Sequence, residues 1–178
     1  MIKKGVYAAT LSVLDENSSL NVEETIAHAE NIINEGLHGV FFFGSTGQSQ
    51  LISMAEKKEL VSKLPLSKLK NNFFLGTGFN SLNDNLEFIK YSMEYEFNTF
   101  LIMPPAYYKG NTDEGVFEFY TRIIKNVPKV KIILYNFKKL SGFKFEPNFI
   151  KKLVSLYPKN IIGCKDSTYN LYDKIKIK

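Results

Sequence analysis

The chain of 178 residues carries one cysteine, no tryptophan and only two histidines. A single thiol, Cys164, excludes an intrachain disulfide and suits a reducing compartment, so a cytoplasmic protein is expected. His28 and His38 stand apart, without acids at ligand spacing, so no metal site is expected. No stretch approaches the ~18 apolar residues of a membrane span. The opening "MIKKGVYAATLSVLD" is interrupted by Thr10 and Ser12 and lacks a small-residue cleavage pattern; it reads as a first strand rather than a leader. Formal charge is +5, yet the lysines are scattered and no basic run alternates with stacking aromatics. That pattern points to a solvated lysine-rich surface and away from nucleic acid. Linkers and low-complexity tracts are also missing, which predicts one domain over residues 1–178.

What is present is a soluble composition, 44% hydrophobic and 23% charged, arranged with a regular beat. Apolar, β-favouring runs recur as "GVYAAT" (5–10), "GVFFFG" (39–44), "NFFLGTG" (72–78), "TFLIMPP" (99–105), "KIILYNF" (131–137) and "IIGCK" (161–165). Most are continuous rather than alternating, as in parallel strands covered on both faces. Helical patterns fill the gaps. Val22, Ile26, Ala29 and Ile33 form one stripe that stops at Gly36. Ser53 and Glu56 have capping-box spacing. Ser81 caps a helix with Leu86, Ile89 and Met93 inward. Thr112 precedes a helix with acids in its first turn, and Pro147 opens the last helix.

The result is an α/β array of six βα units, each about 30 residues, the size of a parallel crossover. Two folds accommodate it. One is an open doubly wound parallel sheet, complete at this length. The other is a (β/α)8 TIM barrel, which typically needs about 250 residues and would be incomplete here, lacking strands seven and eight and the closing helices. The sequence ends at "DKIKIK", about one element after the sixth run, and six barrel strands would leave two open edges. On that basis the chain is expected to be a fragment of a longer product or one half of a split barrel.

In both folds, function gathers at the carboxyl ends of the strands. There the second run meets "GSTG" (44–47), the fifth meets Tyr135 and Asn136, and the sixth meets Lys165. A lysine abutting a strand is expensive to bury as a cation. Each feature also has an ordinary explanation: a tight turn, a core tyrosine, a lysine that snorkels to water. Together they suggest a site. A neutral amine attacks a ketone to form an imine. A phenol such as Tyr135 with a hydroxyl such as Thr46 can relay the protons that step requires. Backbone N–H groups around Ser45, Thr46 and Gly47 can hold a carboxylate. Cys164, beside Lys165, is expected to point the other way as a small buried hydrophobe.

These residues, with "GSTGQS" (44–49), "PPAYYKGNTDEG" (104–115), "YNFKKLSG" (135–142) and "GCKDST" (163–168), resemble the dihydrodipicolinate synthase / N-acetylneuraminate lyase family of Schiff-base aldolases. The resemblance implies a (β/α)8 barrel, usually tetrameric. It implies that Lys165 forms an imine with pyruvate or a related 2-oxo acid, without metal or organic cofactor. Tyr135 is implied in proton transfer, and Ser45 and Thr46 in relay and carboxylate binding. Tyr108 is implied to reach a neighbouring subunit's site, with Tyr107 adjacent to it. The implied reaction is aldol addition or retro-aldol cleavage. The chain departs from the pattern at several positions. Leu140 stands where the synthase branch has an arginine, and "LSG" is closer to the lyase branch. Lys138 replaces a proline, Gln48 a glutamate and Tyr169 a glycine. The second substrate stays open. Two other readings stand beside this one: an inactive barrel fragment or split-barrel half with a binding role, and an α/β domain that binds a phosphorylated ligand at residues 44–47.

Overall fold

Six parallel strands alternate with helices in the computed structural model, which describes residues 2–169. The stretch from Asn170 on, including "DKIKIK", lies outside the described residues. Two compact units emerge: residues up to Gly78 with Glu87–Phe97, and Phe79–Leu86 with the residues from Asn98 on.

In the first unit the strands β1 (Tyr7–Ala9), β2 (Gly39–Phe42) and β3 (Phe73–Gly76) pair in chain order, Ala8 beside Val40 and Val40 beside Phe73. Strand alternation sorts their side chains. Val40, Phe42, Phe73 and Leu75 are buried. Tyr7, Phe41 and Phe74 occupy the opposite face, with Phe41 and Phe74 stacked at 5.1 Å between ring centres and Tyr7 edge-on to Phe74 at 5.7 Å. Helix α1 (Val22–Asn34) starts where the Asn21 side chain accepts from Glu24 N, and its chain reverses at Gly36, φ +105°. Helix α2 (Met54–Lys63) has the predicted capping box: Glu56 N donates to Ser53 Oγ, and Ser53 N donates to Glu56 Oε2 at 2.8 Å. The other carboxylate oxygen accepts from Leu20 N at 2.8 Å, so one glutamate fastens α2 and the segment leading into α1. Helix α3 (Leu82–Glu94) adds its residues from Glu87 on to this unit; its start, through Leu86, belongs to the second, where the Ser81 hydroxyl accepts from Asp84 N.

In the second unit β4 (Thr99–Ile102), β5 (Lys131–Asn136) and β6 (Ile161–Asp166) also pair in chain order. Helix α4 (Asp113–Asn126) is capped by Thr112, whose hydroxyl accepts from Gly115 N. It delivers the fully buried Tyr120, whose hydroxyl donates to Ile102 O, at the end of β4, at 2.9 Å. Helix α5 (Lys138–Ser141) is a single turn that ends at Gly142, φ +73°, and helix α6 (Pro147–Leu156) opens on its proline. Phe143 and Phe145, from the segment joining these two helices, and Phe149 of α6 form an aromatic cluster, ring centres 5.2–5.6 Å apart.

Candidate active site

The carboxyl ends of β5 and β6 bring the predicted lysine and tyrosine together. Their register begins with Ile132 beside Ile161, then shifts by one, so that Ile133 faces Gly163, Leu134 faces Cys164, Tyr135 faces Lys165 and Asn136 faces Asp166. The skipped residue is Ile162, a β-bulge that leaves its side chain 40% exposed. Parallel neighbours in register project to one face. Lys165 Nζ accordingly lies 4.1 Å from the centre of the Tyr135 ring. Tyr135 is buried and Lys165 half-buried. One side of the amine is shielded by an aromatic face, which attracts a cation and excludes water. A primary amine in this position can add to a carbonyl carbon next to a phenol.

One residue further on, the other face carries a pair that sequence reasoning left out. Asn136 is fully buried, and its Nδ2 donates to Asp166 Oδ2 at 2.8 Å. Asn136 Oδ1 accepts from Phe145 N at 3.2 Å. Asp166 Oδ1 accepts from Thr168 N at 3.0 Å and Thr168 Oγ1 at 2.7 Å. Ser167 N donates to Asn136 O at 3.0 Å. The signal for this clasp was present in "YN" and "KD": whatever brings Tyr135 opposite Lys165 also brings the next residues opposite each other.

The loop after β4 presents Tyr107 and Tyr108 outward, 77% and 80% exposed, with their rings edge to face at 5.1 Å. Its backbone is held from several sides. Ala106 N donates to Asn80 Oδ1, Asn111 Nδ2 donates to Pro105 O, and Lys109 Nζ donates to Ala106 O and to Leu140 O. Leu140, at the arginine position of the synthase pattern, thus contributes its carbonyl to the loop and leaves its side chain 37% exposed.

Ser45, Thr46 and Gly47 belong to the first unit and follow β2 in a turn. Ser45 and Thr46 are exposed and Gly47 is buried. The turn is entered through Phe43 in the left-handed region, φ +57°, and left through Gln48, φ +50°. A non-glycine residue rarely adopts that conformation, and such strain gathers at functional turns. Two glycines make room for it. A Cβ on Gly76 would lie 2.5 Å from Phe43 O, and one on Gly47 would lie 2.8 Å from Thr10 O. Gly47 O also accepts from Ser12 Oγ at 2.6 Å.

Cys164 is half-buried rather than enclosed, because β6 leaves the side chains beside it partly uncovered. Burial first, then the Asp166 carboxylate nearby, pushes its thiol up to about 11, which favours the protonated form. His38 Nδ1 accepts from Val6 N, a structural bond, and among the described residues no group of histidine, cysteine and carboxylate side chains could hold a metal. Among the same residues no helix is long and apolar enough to cross a membrane. Tyr169, where a glycine was expected, adopts φ +61°, the conformation for which glycine is suited.

Comparison over the whole chain defines the class first. A dihydrodipicolinate synthase from Agrobacterium tumefaciens superposes with a TM-score of 0.92 at 21% identity, covering 98% of this chain and 62% of that one. A Ruminococcus gnavus sialic acid aldolase, described as a catalytic lysine mutant, matches with a TM-score of 0.86 at 20% identity over 96% of this chain and 55% of that one. A dihydrodipicolinate synthase from Acinetobacter baumannii complexed with pyruvate matches with 0.85 at 24% identity over 97% and 59%. The fold is therefore an incomplete TIM barrel of six βα units, and the doubly wound alternative is set aside. The model of the dihydrodipicolinate synthetase family matches residues 3–178, and the chain belongs to that family. It is 30% identical over 169 residues to 4-hydroxy-tetrahydrodipicolinate synthase of Agrobacterium fabrum, covering 94% of this chain and 56% of that one. It is 29% identical over 178 residues to L-threo-3-deoxy-hexylosonate aldolase of Aspergillus niger, covering 95% and 52%. The chain thus spans about half the length of the curated relatives it matches.

Proposed function

We propose that this chain carries the imine-forming half of a class I aldolase, a lyase acting on pyruvate or a related 2-oxo acid. The observation that carries the reading is the approach of Lys165 Nζ to the Tyr135 ring at 4.1 Å, in a strand register that pairs the two residues. The names of the curated relatives and the pyruvate in a matched synthase support it.

In the proposed reaction the Lys165 amine adds to the keto carbon. Tyr135 moves protons to and from the carbinolamine oxygen, water leaves and the imine remains. The imine draws electrons from the methyl carbon, which loses a proton and attacks an aldehyde; the reverse sequence cleaves the same bond. Thr46 completes the proton relay, and Ser45, Thr46 and Gly47 receive the carboxylate. The chemistry calls for no metal or organic cofactor. Tyr108 would serve a neighbouring subunit of a homotetramer, a role that fits its exposure. No nucleic-acid or membrane partner enters the reading, and the cytoplasm suits it.

The test is borohydride reduction in the presence of pyruvate. A pyruvate-dependent adduct that Lys165→Arg abolishes and Tyr135→Phe slows supports the proposal. An adduct that survives Lys165→Arg, or none on the wild-type chain, overturns it.

A further inference from the structure

The β5–β6 pair can be counted in two registers one residue apart, and only one of them serves the proposed site. From the first pair, Ile132 beside Ile161, an uninterrupted count would place Cys164 opposite Tyr135 and Lys165 opposite Asn136. The bulge at Ile162 shifts the count, and Lys165 faces Tyr135 instead. A slip of one residue moves every following side chain to the other face. Ile162, the skipped residue, is 40% exposed.

Something must favour the shifted register, and the carboxyl end of the pair supplies it. Asn136 is fully buried and its amide donates to Asp166 Oδ2 at 2.8 Å, a hydrogen bond to a carboxylate, which is among the stronger kinds. Its carbonyl oxygen is already engaged by Phe145 N, and Asp166 is held from the far side by Thr168 N and Oγ1. The unshifted register would remove the carboxylate from the buried amide and present an ammonium in its place. Both groups would then be donors, and the amide N–H would be left unsatisfied.

We propose that the Asn136–Asp166 hydrogen bond selects the strand register in which Lys165 faces Tyr135, making Asn136 and Asp166 positioning residues for the amine. They touch no reacting atom; they act through the strands that carry Lys165 and Tyr135. The functional consequence rests on the imine reading above, whereas the register itself does not.

Two measurements separate these layers. Competitive acetylation with acetic anhydride, mapped by mass spectrometry, reads the reactivity of the Lys165 amine against the chain's other lysines and needs no pyruvate. Borohydride trapping with pyruvate reads the imine. Asn136→Asp sets two carboxylates face to face, so Lys165 should acetylate as fast as the exposed lysines, and trapping should fall on the order of tenfold or more. The exchange Asn136→Asp with Asp166→Asn again sets a donor against an acceptor, keeps an acceptor for Phe145 N, and should restore both readouts. If Asn136→Asp alone does not fold, recovery of folding and of wild-type acetylation by the exchange supports the pair. A folded Asn136→Asp chain with wild-type acetylation at Lys165, or an exchange that fails to restore it, overturns the proposal. If the acetylation results come out as expected while wild type traps no pyruvate, the imine reading falls and the register assignment stands.

Discussion

Lys165 lies opposite Tyr135 because Ile162, three residues earlier, drops out of the strand pairing. The amine and the ring are 4.1 Å apart as a result, and the geometry of the site is a consequence of strand register.

Deleting Ile162 should therefore remove the bulge and keep the pairs that follow it. Ile161 still stands beside Ile132, Gly163 comes next opposite Ile133, and Lys165 stays opposite Tyr135. The prediction is a chain that melts cooperatively and keeps its pyruvate adduct at residue 165, as Ile162→Val does. Peptide-mapped borohydride trapping of both variants checks this; loss of the adduct at Lys165 in a folded deletion variant would contradict it.

A second prediction concerns alkaline pH. Burial holds the Tyr120 phenol well above the ordinary tyrosine range, and burial together with Asp166 raises the Cys164 thiol to about 11. The hydrogen bond with Tyr95 first, then burial, raises Tyr91 to about 12, though that ring is only half-buried and counts for less. All three favour their protonated forms in the folded state. Their contribution is complete below the unfolded values, 9.0 for the thiol and 10.0 for the phenols, and is lost as pH rises through the folded ones. The melting temperature should be level with respect to these groups from neutral pH to about 9 and then fall. Tyr120→Phe should remove the Tyr120 part of that fall above pH 10. At neutral pH it should cost about 1–2 kcal/mol, because Ile102 O loses a buried donor. Parallel melting curves for the two chains between pH 7 and 11 decide the matter.

The Ser53–Glu56 box offers a test on the acidic side. Hydrogen bonds, led by that from the Ser53 hydroxyl, hold the Glu56 carboxyl below its ordinary 4.5 despite some opposing desolvation. A lowered folded value means stability that is present above the unfolded pKa and lost as pH falls through the folded one. Ser53→Ala should cost about 1 kcal/mol, the usual value of an N-cap, and should flatten the acid-side loss below about pH 4.5. Glu56→Ala should cost more, since it also frees Leu20 N. Denaturant titrations at pH 7 and pH 4 measure both; equal losses for the two variants would argue against the added role of Leu20.

Much of this was legible in the sequence because it is local. The caps at Ser53, Ser81 and Thr112 lie within a turn of the amides they serve, and the six strands announce themselves as apolar runs. Tyr135 and Lys165 could be nominated because each ends such a run. The relation between the runs was not legible. Nothing in "IIGCKD" says that Ile162 is skipped, since register is set by the neighbouring strand. Cys164 was placed by counting alternation within β6, which gives its face but not what covers it. The one-turn helix over Lys138–Ser141 is too short to show a period, and β1 shrinks to Tyr7–Ala9 because its pairing with β2 stops there. Asn136 and Asp166 each look like an ordinary strand-end residue in the sequence until the other is beside it.

The most direct measurement is to locate the reduced adduct. After incubation with pyruvate and borohydride, proteolysis and mass spectrometry assign it to a lysine. The account predicts one modified residue, Lys165, with the chain's many surface lysines untouched. An adduct spread over those lysines, or one concentrated on any of them with Lys165 unmodified, would contradict it.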